Sequence, residues 1–219
     1  MEDGGEDVIT MRKKRAVLAT LVTASFLAGG CNWLLPFVFL GEHKRKIAPE
    51  YDRLEGSRLA VVVWAEPETL FDYPHVRLEL GAFIGDRIRA NVEQCDVVDQ
   101  FAIEEFMERD LDAAADPRKV GTEFEADKVV YVELLRFQIR DASSPDLLQA
   151  RVDAGVSVYD LYADPDEINR FVLDPVSVTY PEGQAAVMSA RAAQLVRQNT
   201  YELFSETVAR KFYEHRVDM

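Results

Sequence analysis

The chain has 219 residues, 48% of them hydrophobic, with 25 basic and 39 acidic side chains and a formal net charge of −14. That length suits one domain with an appendage, the hydrophobic share excludes a disordered chain, and the acidic balance excludes nucleic-acid binding through a basic field. Two cysteines cannot staple a fold with several disulfides, and three histidines leave little for a metal cage, so neither a metal nor a cofactor is expected.

At the amino terminus, Arg12, Lys13, Lys14 and Arg15 precede an uncharged run over residues 16–27 and then Ala28-Gly29-Gly30-Cys31. A basic region, an apolar stretch of this length and a small-residue cleavage site read as a secretory signal over residues 1–30. The first ten residues are acidic and fit no such signal, so Met11 is expected to be the true start. Leu27-Ala28-Gly29-Gly30-Cys31 resembles the lipobox of bacterial lipoproteins. The resemblance implies cleavage between Gly30 and Cys31 and lipidation of Cys31. Acyl chains would then anchor the protein, each buried CH₂ contributing about 0.8 kcal/mol. A competing reading takes the whole uncharged run over residues 16–40 as a single-pass inner-membrane anchor, since about 20 residues suffice to span. Gly29, Gly30, Asn32 and Pro36 stand against it as poor helix formers in mid-span. Both readings tether the bulk of the chain outside the cytoplasmic membrane. Cys95 would then be the other cysteine, and its apolar surroundings suit a buried structural thiol.

Residues 31–57, charged beyond residue 40 and carrying Gly and Pro, read as a tether, and residues 58–219 as a single globular domain. The continuous apolar run at 58–65 suits a strand covered on both faces. Residues 66–75, with two prolines, read as a loop. Val76, Leu80, Ile84, Ile88 and Val92 have helical spacing. A short strand at 95–99, a helix over 101–111 and a helix opened by Asp116-Pro117 and running to about 126 follow. Residues 128–139 read as a second apolar strand, and residues 150–163 alternate as a strand with one buried face. A strand over 168–180, bent near Pro175, returns antiparallel. A long terminal helix is expected from 184 to 215. The order β-α-β-α-α-β-β-β-α predicts a mixed α/β fold with helices covering a mixed sheet.

The opening strand, its following helix, the short strand and the passage from Asp116 to Glu133, with Gly121, Ala126 and Asp127, resemble a set of bacterial envelope proteins. These are the periplasmic lipoproteins of the curli-secretion (CsgG-type) kind and the amino-terminal domain of TolB-type proteins. The resemblance covers roughly residues 58–139 and is one of fold, not of catalytic signature. It implies a domain that docks on other proteins or self-assembles. The pore of the curli-secretion member is not implied, because residues 150–180 carry eight charged side chains where a lipid-facing band would be needed.

No phosphate loop or nucleophile elbow occurs. Gly81 and Gly85, four apart within a helix, suit close packing. His43, His75 and His215 are scattered without ligand spacing. Glu104-Glu105, Asp110/Asp112 and Asp164/Asp166 read as solvated acidic faces. Phe71 and Tyr73, in the loop after the central strand, are the aromatic residues off the core pattern. They make Glu68, Phe71, Asp72, Tyr73 and His75 the candidate partner-binding surface, against the alternative that the two rings cap the sheet. The expected function is that of a non-catalytic, lipid-anchored cell-envelope protein facing the periplasm, which binds an envelope protein in assembly, secretion or transport. Asn32 in place of an aspartate favours the outer membrane. The alternatives are a periplasmic hydrolase using acids such as Glu66 and Asp72, and a homo-oligomer built through the terminal helix.

Overall fold

A computed structural model of the chain describes residues 44–110, 115–140, 144, 146–163 and 169–218. The expected signal segment, Gly30, Cys31 and the alternative anchor at 16–40 lie outside the described residues, as do His43, Asp112, Asp164 and Asp166. No helix among the described residues is long and apolar enough to cross a membrane.

Strand β1 (Lys44–Ile47) leads through an irregular segment to β2 (Arg58–Ala65). Helices α1 (Pro67–Asp72) and α2 (Val76–Asn91), strand β3 (Asp96–Val97), and helices α3 (Gln100–Arg109) and α4 (Pro117–Glu123) follow. The chain continues with β4 (Lys128–Arg140), β5 (Leu147–Asp160), β6 (Arg170–Tyr180), β7 (Ala186–Val187), α5 (Ala190–Ala209) and β8 (His215–Asp218). A body over Lys46–His215 forms one unit, and the two chain ends form another. Strands β1 and β8 make a separate two-stranded sheet.

The main sheet is ordered β3-β2-β4-β5-β6, with β7 added beside β5. Strand β2 runs parallel to β3 and β4, while β4, β5 and β6 are antiparallel. The expected mixed α/β fold is therefore present, with five helices among the described residues. Residues of β2 alternate between two cores. Leu59, Val61 and Val63 face α2 and α5, and Ala60 and Val62 face α3 and α4. A strand covered on both sides needs no polar face, which is why 58–65 is continuously apolar. Farther along the sheet one face of β5 is covered over most of its length, so Val152, Ala154, Val156 and Val158 are buried while Arg151 is exposed.

Close approach explains several small residues. A side chain at Gly81 would run into Gln100, and one at Gly85 would come within 3.1 Å of Val97. Gly121 lies against Leu161 and Val129, where a Cβ would stand 2.6 Å from the valine methyl. Asp127 joins the helix end to the sheet. Its carboxylate accepts the Arg58 N–H at 2.7 Å, and its own N–H donates to the Arg58 carbonyl at 2.8 Å. The Gly121–Asp127 positions that carry the family resemblance thus serve packing and strand joining.

Four expectations change. The segment expected as a tether belongs in part to the body. Tyr51 and Leu54 are buried in the core, Glu50 pairs with Lys211 at 2.7 Å, and its second oxygen accepts the Asp174 N–H at 2.9 Å. Its abundant charge hid two apolar anchors. Residues 67–72 form a helix where a loop was expected, because Pro67 takes the first helical position and leaves no N–H to satisfy. The terminal helix starts at Ala190, not 184. Residues 186–187 pair with β5 instead, and Ser189 caps the helix by accepting the Ala192 N–H at 3.1 Å. It ends at Ala209, before β8. Finally, Glu104 is not part of a solvated acidic face. It is 8% exposed and accepts both Nε and Nη2 of Arg77, at 3.1 and 2.6 Å.

Candidate partner-binding cleft

The parallel strands β2 and β4 both end on the same side of the sheet, the side where open α/β sheets bind ligands. Beyond β2 the chain turns through the exposed Glu66 into α1, a six-residue helix with no buried residue. Phe71 on this helix is 87% exposed. The chain then reaches Tyr73, whose ring stacks edge-on against Phe137 with centroids 4.8 Å apart and whose hydroxyl accepts the Ile139 N–H at 3.3 Å. Phe137 in turn contacts Tyr201 of α5, centroids 5.9 Å apart. Burial raises the Tyr201 hydroxyl well above the usual phenol range, and its hydrogen bond to Glu79 pushes the same way. This aromatic chain fixes the root of α1 on the sheet.

Against that root lies a cleft of about 680 Å³. Its floor is apolar: Ile139 and Leu148 from the ends of β4 and β5, with Met188, Ala190 and Ala193 from the start of α5 and the residues before it. Asp72, Tyr73, Arg140, Ser189, Gln194 and Arg197 supply its polar lining. The Ser189 hydroxyl is already engaged in capping α5. Among the described residues no histidine or cysteine lines the cleft.

The candidate surface read from sequence divides here. Asp72 and Tyr73 line the cleft, Tyr73 with its ring packed against the sheet, whereas Glu68, Phe71 and His75 are exposed outside it. His75 occupies the cap position of α2 and makes no side-chain cap bond. Glu66 and Asp72, offered as an acid pair, are not brought together in the cleft, since only Asp72 lines it. Arg140, Met188 and Arg197 were missed. Arg140 ends an apolar strand, and Met188 and Arg197 were read as helix positions, so their meeting depends on where α5 begins. The Ser189 cap was the available signal. Among the described residues no group of three or more His, Cys, Asp or Glu could hold a metal ion. Cys95 is buried, with its thiol pushed up to about 11 by burial and next by Asp96.

Fold and cleft together define a mixed α/β domain with an open, amphipathic groove at the carboxyl end of its parallel strands. No protein-family model matches the sequence, and no curated protein matches it. Solved structures similar to it include a dodecameric variant of PelC from Paraburkholderia phytofirmans, at 12% identity over 78% of this chain and 98% of that one, with a TM-score of 0.43. The lipoprotein GNA1162 from Neisseria meningitidis matches at 16% identity over 67% and 97% of the two chains, TM-score 0.38. The protein XCC0632 from Xanthomonas campestris matches at 11% identity over 74% and 87%, TM-score 0.35. At TM-scores below 0.5 these likenesses carry no inference about this chain, and membership of the curli-secretion or TolB-type families does not follow from them.

Proposed function

We propose that this chain is a lipid-anchored protein of the bacterial cell envelope, facing the periplasm, whose α/β domain binds a protein partner and performs no catalysis. The observation that carries the reading is the lipobox-like Leu27-Ala28-Gly29-Gly30-Cys31 behind a basic and apolar leader. Cleavage before Cys31 would leave a lipidated first residue in the chain ahead of the body over Lys46–His215. Charge supports the arrangement. Residues 1–30 carry four basic and four acidic side chains, so the exported part keeps the whole −14. Such a domain is repelled by an anionic membrane surface and needs its lipid to stay there. The exposed α1 and the groove beside it are the surface offered to the partner.

The experiment is a Cys31→Ala variant expressed in a bacterial host and fractionated. Loss from the membrane fraction, with the uncleaved precursor accumulating, supports lipidation. Retention of an uncleaved but membrane-bound wild-type chain supports the anchor at residues 16–40 instead. Self-association through the exposed side of α5, where Leu195 and Leu203 are 50% and 38% exposed, is a second reading. A monomer in light scattering at high concentration removes it.

A further inference from the structure

The groove at the end of β4 is lined by two arginines. Arg140 is the last residue of β4, and Arg197 stands two turns into α5. Both are exposed, and neither makes an ion pair with a described carboxylate, as is also true of Arg53, Arg151 and Arg191; what sets the two apart is that they line one groove. Asp72 lines the same groove and pairs with neither. In a chain with 39 acidic and 25 basic side chains, a cleft whose charged lining is two arginines and one aspartate is locally positive against the balance of the whole. Below them the floor is apolar, with Leu148 and Ile139 buried and Met188 partly open. A cation pair over an apolar floor fits a ligand with a carboxylate and adjacent apolar groups. Guanidinium planes match carboxylates through paired N–H donors.

We propose that this cleft binds a short extended segment of a partner protein through a carboxylate, on an acidic side chain or a chain terminus, seated between Arg140 and Arg197. Peptide is favoured over an anionic lipid surface because the domain's −14 opposes its approach to such a surface, while a single carboxylate can enter the groove. The inference rests on the partner-binding reading above but not on lipidation of Cys31.

The test is selection of a random peptide library on the full chain in detergent, followed by anisotropy titration of the enriched peptides against wild type, Arg140→Gln, Arg197→Gln and the double variant. Enriched peptides that share one Asp or Glu, or that lose binding when their carboxyl terminus is amidated, weakened about tenfold by each substitution and weakened again by salt, support the proposal. Equal urea midpoints for all variants establish that the fold is intact. Binding that survives amidation of the peptide terminus and replacement of its Asp and Glu by Asn and Gln, or unchanged binding by the double variant, overturns it and leaves partner binding standing. Enrichment of no peptide counts against both. Binding of phosphatidylglycerol vesicles through the two arginines, with no peptide bound, overturns the peptide assignment.

Discussion

Glu104 and Glu105 are adjacent in sequence and opposite in environment: Glu105 is exposed, while Glu104 is buried between α2 and α3 against Arg77. A buried pair of this kind stabilises little relative to an apolar pair, but breaking it strands a charge. Arg77→Ala is therefore expected to cost about 3 kcal/mol in urea unfolding, and Arg77→Met with Glu104→Leu to recover most of that loss. If the single and double variants unfold alike, the pair does not carry this energy. Titrating groups make a second residue-scale prediction. Burial raises the Cys95 thiol from 9.0 to about 11, and the Tyr51 and Tyr131 hydroxyls from 10.0 to about 12. The folded state holds these protons more tightly, so their contribution is complete below about pH 9 and is lost as pH rises through about 11 to 12. Urea midpoints should be level up to that point and fall above it, with Cys95→Ala removing the earliest part of the fall. In the native chain Cys95 should resist iodoacetamide at pH 8 and react freely in urea.

At the scale of elements, the strands were legible where burial is two-sided or regular. The continuous run of β2, the apolar β4 and the alternating β5 each state their environment in their own residues. The start of α5 was not legible in the same way, because residues 184–189 carry no strong breaker after Gly183 and their strand pairing is with β5, some 40 residues back. Segment 46–57 failed for a related reason. Its two buried apolar side chains, Tyr51 and Leu54, are separated by charged residues, and its partners Asp174 and Lys211 lie more than 120 residues away. Leu54→Ala tests that assignment. A fully buried leucine should cost 2 kcal/mol or more, roughly, where a tether residue would cost nothing measurable. Gly121 offers a similar test for the helix-to-strand joint. Gly121→Val pushes into Leu161 and Val129 and is expected to cost about 1–3 kcal/mol. Of the five candidate residues read from the segment after β2, two, Asp72 and Tyr73, line the cleft. The arginines could not be read this way, because their convergence is a product of the sheet register and the true beginning of α5.

For the whole molecule, charge and anchor belong together. An acidic body is not drawn to an anionic bilayer, so on the proposed reading the lipid on Cys31 would hold it at one. On the same reading the domain would remain free to meet a partner with its groove side once the basic leader had been removed. Intact-mass and peptide mass spectrometry of the protein extracted from bacterial membranes tests this most directly. Lipidation predicts an amino-terminal peptide that begins at Cys31 and carries acyl-glyceryl mass. An unmodified Cys31 within a continuous chain that still includes residues 16–30 would contradict it.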